Sequence, residues 1–386
     1  MKTCKLKIFP LLILFILSGI SAQTLFAFTN SKKKTRNKIS SYFVPPEKYA
    51  NELGAYRSPL LFYNGDTVKT KGDWQKRRIE IQEKWHNMMG EWPPVMTQQK
   101  FEIVSEEKKE DFTQYKVRFY WTPNEETEAY LLIPKKKGKK PAVISVFYEP
   151  ETAAGMGNPD RDFAYQLSKR GFVSLSIGTA KTTNEKIYSI YYPCRENATI
   201  QPLSVLAYAA ANAWQVLSKV EDVDSTRIGI VGHSYGGKWA MFASCLYDKF
   251  ACAAWSDPGI VFDETKGAAV NYWEPWYLGY YPPPWENTWR KTGLIENAKG
   301  LYPELVKNGY DLHELHALMA PRPFLVSGGS SDSEERWIPL NHSIAVNRFL
   351  GYANRVAMTN RPEHAPNKES NEVIYTFFEY FLKMGL

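Results

Sequence analysis

A pentapeptide, Gly232-His233-Ser234-Tyr235-Gly236, directly follows the apolar run Ile228-Gly229-Ile230-Val231 and directly precedes a segment expected to be helical, residues 235–246. Alone, Gly-x-Ser-x-Gly is a weak signal, because glycine and serine are common. Between a buried strand and a helix it describes one particular turn. The serine then sits on a strained bend that lifts its hydroxyl above the sheet edge. Side chains two positions to either side would strike the backbone, and glycine avoids that collision. The same bend aims the first helical amides at the serine, where they can hold a developing negative charge. A purely structural Gly-Ser turn is the competing reading, and the strand–turn–helix setting argues against it.

The rest of the chain supplies the frame this turn requires. Residues 101–107 (FEIVSEE), 113–121 (TQYKVRFYW) and 128–134 (EAYLLIP) alternate or carry β-branched and aromatic residues, as in antiparallel strands. After the charged tip Pro134–Pro141, continuous apolar runs alternate with helical stretches. The strands are expected at 142–148, 172–177, 227–232, 251–256, 323–329 and 355–360. The helices are expected at 160–170, 202–219, 235–246, 337–350 and 369–383. Strands that are apolar throughout and alternate with helices imply a parallel sheet covered on both faces. The expected architecture is an α/β-hydrolase fold over residues 101–386: a mostly parallel central sheet, antiparallel N-terminal strands and an aromatic-rich cap insertion at about 260–315. Residues 46–100 read as an N-terminal helical arm, with a helix from an Asp73 N-cap to Met89 whose apolar side is Trp74, Ile79, Ile81, Trp85 and Met88.

A serine hydroxyl is a poor nucleophile at neutral pH and needs a base within hydrogen-bond reach. In this architecture the chain order is serine, acid, histidine. Of the six histidines, His364 lies in a loop after the last strand and before the last helix, which makes it the expected base. Two acids stand at the ends of strands, where α/β sites assemble. Asp332, after the strand 323–329, occupies the usual place and is the first choice. Asp257, after the strand 251–256, is the second and could assist. The oxyanion is expected to be held by the backbone N–H of Tyr235 and by a donor near Tyr148 or Glu149.

The N-terminus bears on location. Lys2, Lys5 and Lys7 precede a short apolar run ending in small residues, the pattern of an export signal cleaved near Ala22. The run is shorter than a span of roughly 20 residues, so no stable membrane anchor is expected. Removing residues 1–22 takes three lysines and no acid with it, lowering the formal charge from +7 to +4. That balance permits an acidic substrate without requiring one, and nothing resembles a nucleic-acid-binding motif. Residues 23–45, with Lys32, Lys33, Lys34, Arg36 and Lys38, read as a flexible basic leader. The expected location is secreted or periplasmic. Cys194, Cys245 and Cys252 would remain, an odd number, and no Cys/His spacing suits zinc. The chemistry calls for no metal and no cofactor.

Aromatic residues make up 15% of the chain and concentrate between Asn271 and Arg290. Trp273, Trp276, Trp285 and Trp289 could stack on sugar rings, or the segment could be an aromatic-stapled loop packed on the domain. Together with residues 311–329 (DLHELHALMAPRPFLVSGG) and 170–178 (RGFVSLSIG), the pentapeptide resembles secreted bacterial carbohydrate esterases of the acetyl-xylan-esterase-like and glucuronoyl-esterase-like kinds. In glucuronoyl esterases a lysine four residues after the serine contacts the uronate sugar, and Lys238 stands there. An acid stands 23 residues after the serine in those enzymes, and here that place is Asp257. Where they carry arginine directly after the serine, this chain has Tyr235, and where they carry cysteine before it, this chain has His233.

The resemblance therefore implies a serine esterase that removes acetyl or uronate esters from plant or algal polysaccharide. Two rivals stand beside it: a peptidase of the prolyl-oligopeptidase type, and a non-catalytic carbohydrate-binding protein on the same scaffold. The first usually carries a propeller domain, for which residues 23–100 are too few.

Overall fold

In the computed structural model, which describes residues 22–179, 189–285 and 297–384, nine strands form one sheet. They are β1 Glu102–Lys108, β2 Phe112–Thr122, β3 Glu125–Pro134, β4 Lys140–Phe147, β5 Val173–Gly178, β6 Val223–His233, β7 Cys252–Ser256, β8 Phe324–Gly328 and β9 Val356–Asn360. Their order across the sheet is β1-β2-β3-β5-β4-β6-β7-β8-β9. Pairing is antiparallel from β1 through β3 to β5 and parallel from β5 to β9. This is the α/β-hydrolase arrangement.

The helices follow as α1 Ala22–Ile39, α2 Lys71–Met89, α3 Phe163–Lys169, α4 Pro202–Leu217, α5 Tyr235–Leu246, α6 Leu301–Lys307, α7 His313–Ala317, α8 Trp337–Leu350 and α9 Lys368–Phe378. Successive residues of a strand point to opposite faces, and the central strands feed two separate cores. Ile144, Ile230, Ala253 and Val326 pack with α4 and α5. Their neighbours Val143, Val231, Ala254 and Leu325 pack with α3 and α9. Both faces of β4, β7 and β8 are thus covered, which is why those strands are apolar throughout. Edge strand β1 is exposed along its length and carries the charges expected there.

Three details of the N-terminal region differ from the sequence reading. The leader is not a flexible tether in its described part: residues 22–39 form α1, and Ser40–Phe43 form a 3-10 turn. Ile39 and Phe43, hidden behind the lysine run, are buried against Phe377 and Phe381. The N-cap of α2 is Thr70, not Asp73. Its hydroxyl accepts from the Asp73 amide, and the Asp73 carboxylate accepts in return from the Thr70 amide (2.9 Å), a capping box. Ile79 is exposed, and the buried stripe of α2 runs through Trp74, Arg77, Ile81, Trp85 and Met89.

Buried Arg77 is held by Glu80 Oε2 (2.5 Å) and the Pro59 carbonyl (3.3 Å), and it lies near Glu314 on α7. The Glu314 carboxylate accepts from Tyr63 Oη (2.9 Å) and Trp85 Nε1 (3.2 Å), with Arg57 and Arg77 guanidiniums each 3.7 Å away. Burial raises the pKa of Glu314, and these donors and cations oppose the rise. The arm is therefore stitched into the body by charge as well as by packing. Among the described residues no helix is long and apolar enough to cross a membrane. The proposed signal, apart from Ala22, lies outside the described residues.

Candidate active site

Strand β6 ends at His233 and α5 begins at Tyr235, leaving Ser234 on the bend between them. Its backbone has φ 55° and ψ −113°, a region that non-glycine residues rarely occupy. The two glycines are required by contact. A Cβ on Gly232 would run into the Gly236 carbonyl oxygen, and one on Gly236 into the Val146 carbonyl oxygen of β4. The bend therefore presses directly on the neighbouring strand.

His364, from the loop after β9, meets this serine. Its Nε2 lies 2.8 Å from Ser234 Oγ, and its Nδ1 lies 2.6 Å from Asp257 Oδ2. The imidazole side chain is 41% exposed while the Asp257 carboxylate is wholly buried, so the line runs from solvent into the protein. Asp257 itself has a positive φ of 49° just past β7. Besides the imidazole, its carboxylate accepts from the amides of Gly329 (2.6 Å), Asp332 (2.9 Å) and Ser331 (3.2 Å). Burial alone would raise its pKa. The His364 hydrogen bond and charge, the Ser331 amide and the Arg361 charge outweigh it and leave Asp257 below its ordinary value.

Asp332, the sequence's first choice of acid, does not touch the imidazole. Its two oxygens accept from the amides of Gly259 (2.8 Å) and Ile260 (2.7 Å), on the loop that follows Asp257. The two acids therefore exchange places: each carboxylate is bound by backbone amides of the other's loop. Burial and the nearby Asp257 push the Asp332 pKa up to about 6. Sequence position could not separate two aspartates at adjacent strand ends, because the direction of each side chain is set by loop conformation.

Around the serine, Tyr148 and Tyr235 stack face to face at 4.6 Å, and Thr179 Oγ1 lies 3.1 Å from Tyr235 Oη. The start of α5 and the end of β4 thus meet beside Ser234. Glu149, next in that segment, accepts from Thr152 Oγ1 (2.5 Å). On the other side, the buried His233 ring packs 4.8 Å from that of His364. Burial, then the charges of His364, Arg361 and Arg161, drives its pKa well below the usual histidine value, so His233 stays neutral.

The expected sugar-contacting residues divide. Trp273 and Trp276 are buried in the core, so neither offers a free face for a sugar, and that role is withdrawn for both. Trp285 is half-buried, with Tyr191 and Tyr280 rings at 5.3 and 5.9 Å and the Arg195 guanidinium 4.8 Å over it. Trp289 lies outside the described residues. Lys238 is neither a surface charge nor solvent-facing: it is 4% exposed, donates to the Pro258 carbonyl and lies 4.3 Å over the Tyr272 ring. Burial lowers its pKa to about 8, against the pull of Asp332 and Asp257. Sequence reasoning did not single out Arg361, whose guanidinium is buried beneath the His364 loop. The visible signal was a lone arginine three residues before the expected base.

The pattern of the prolyl oligopeptidase family matches residues 209–345, from within α4 into α8. No curated protein matches the chain. Solved structures similar to it include a glucuronoyl esterase from Solibacter usitatus, at 17% identity and TM-score 0.65, covering 86% of this chain and 99% of that one. Another is a carbohydrate esterase family 15 glucuronoyl esterase from Caldicellulosiruptor kristjansonii, at 19% identity and TM-score 0.61, covering 88% and 93%. A third is a putative acetyl xylan esterase from Bacteroides fragilis, at 14% identity and TM-score 0.55, covering 93% and 90%. At these identities the likeness establishes the fold.

Proposed function

We propose that this chain is an exported serine esterase that removes acetyl or uronate esters from a plant or algal polysaccharide. The observation that carries the reading is the continuous line Ser234 Oγ–His364 Nε2, His364 Nδ1–Asp257 Oδ2 at 2.8 and 2.6 Å. In the proposed reaction His364 takes the proton of Ser234 as the hydroxyl attacks the ester carbonyl. Asp257 holds the imidazole in the tautomer that leaves Nε2 free to accept, and stabilises the imidazolium that forms. The Tyr235 amide at the start of α5, with a donor from the Tyr148–Glu149 segment, holds the tetrahedral oxyanion. His364 returns the proton to the leaving alcohol, and water then releases the acid by the same route. The carbohydrate part rests on the resemblance of sequence and fold to glucuronoyl and acetyl xylan esterases. Export rests on the N-terminal pattern up to Ala22.

A fluorophosphonate probe tests the nucleophile: labelling of the wild type at Ser234, abolished in Ser234→Ala, is expected, and an unlabelled wild type refutes the mechanism. Incubation with acetylated and uronate-esterified oligosaccharides, measuring acetate, methanol and uronic acid, tests the substrate class. The match to the prolyl oligopeptidase family favours a second reading as a peptidase. Cleavage of a prolyl peptide faster than of any sugar ester would establish that reading instead.

A further inference from the structure

Arg361 carries a charge that the reaction just described does not use. It is buried, and among the described residues no carboxylate lies within ion-pair distance of it. Every hydrogen bond it donates goes to the frame around the base. Nε donates to the Ala365 carbonyl (2.8 Å), and Nη2 to the His364 carbonyl (2.7 Å) and Ser256 Oγ (3.3 Å). Nη1 donates to the Ser327 carbonyl (2.8 Å), Ser327 Oγ (3.1 Å) and the Gly328 carbonyl (3.2 Å). One planar fork thus ties the loop bearing the imidazole to the last residues of β7 and β8. Ser256 Oγ also meets His233 Nδ1 (3.1 Å), and the His233 ring lies against His364. The base is held through its backbone by a guanidinium and through its ring by a neutral imidazole, and one hydroxyl joins the two supports.

We propose that Arg361 is a positioning residue of the site: its guanidinium fixes the His364 loop to the ends of β7 and β8 and so holds the imidazole against Ser234. This rests on the serine esterase reading. A lysine would supply the charge, but a single ammonium cannot span both sets of carbonyls.

The test compares wild type, Arg361→Gln and Arg361→Lys on p-nitrophenyl acetate, with thermal melts to establish folding. Arg361→Gln is expected to lose at least about fivefold in kcat with KM within about threefold, as a displaced base does. Arg361→Lys, which keeps the charge but not the fork, is expected to lose at least about threefold in kcat with KM likewise kept. A smaller loss in either folded variant, or a KM raised beyond about threefold, overturns the proposal. If Arg361→Gln fails to fold, Arg361→Lys decides alone, by its kcat and KM. A wild type that neither turns over esters nor takes the fluorophosphonate sinks the esterase reading instead, a result distinct from any outcome in the variants.

Discussion

Replacing each acid by its amide separates their roles. In Asp257→Asn, one oxygen and one NH₂ must serve a position where four donors now converge: the His364 Nδ1–H and three backbone amides. If the NH₂ faces the ring, Nδ1 must become the acceptor, Nε2 carries the hydrogen, and the ring cannot take the Ser234 proton. If it faces the amides instead, donors oppose donors in a buried site. The expected loss is about 10³–10⁴ in kcat, or about 4–5.5 kcal/mol of transition-state stabilisation. In Asp332→Asn the disturbance falls on the Gly259 and Ile260 amides, away from the imidazole. That variant should lose about 1–3 kcal/mol of stability and less than about tenfold in kcat. The assay is p-nitrophenyl acetate turnover at saturating substrate, with a thermal melt of each variant. Equal losses in the two, or a loss under tenfold in Asp257→Asn, would refute the assignment of the orienting acid.

Other perturbations probe the frame. Gly236→Ala places a methyl group against the Val146 carbonyl and should destabilise the fold by at least about 3 kcal/mol, seen as a large drop in Tm; an unchanged Tm would contradict the contact. Asp311 is half-buried, and the loss of water around its carboxyl pushes its pKa up to about 7; one of its oxygens accepts from both the Phe262 and Leu312 amides, bonds that Asn keeps. Its stabilising contribution is complete below the unfolded value of about 4 and is lost as pH rises through 7, so the Tm of wild type minus that of Asp311→Asn should fall between pH 5 and pH 8; a constant difference would count against it. Trp285→Ala should raise KM for an oligosaccharide ester far more than for an aryl ester, whereas Trp276→Ala should chiefly lower Tm, by about 3–5 kcal/mol of lost packing. Equal KM effects on both esters in Trp285→Ala would remove the sugar contact.

The bend at Ser234 was legible because its physics is local: a strand, two glycines and a helix within the nineteen residues 228–246 leave few alternatives. That His364 would meet it was legible by place, as the histidine between the last strand and the last helix. Which acid meets the imidazole was not. Asp257 and Asp332 have the same residue type and the same position relative to a strand, and only the exchange of amides between their loops decides which reaches the ring. The tryptophans misled for a different reason. An aromatic cluster reads alike whether its faces meet sugar or one another, and Trp273 and Trp276 turned inward. In the leader, five basic residues masked Ile39 and Phe43, whose spacing of four is the signature of a docking face.

The contact between α2 and α7 bears on how far the chain can be shortened. A form beginning near residue 100 would retain Ser234, Asp257 and His364. It would also strand the Glu314 carboxylate in the interior without Arg57, Arg77, Tyr63 or Trp85. A buried carboxyl stripped of its donors and cations at the foot of the cap would unsettle α7 and, through it, the approach to β8. Arm and body are therefore expected to fold as one piece.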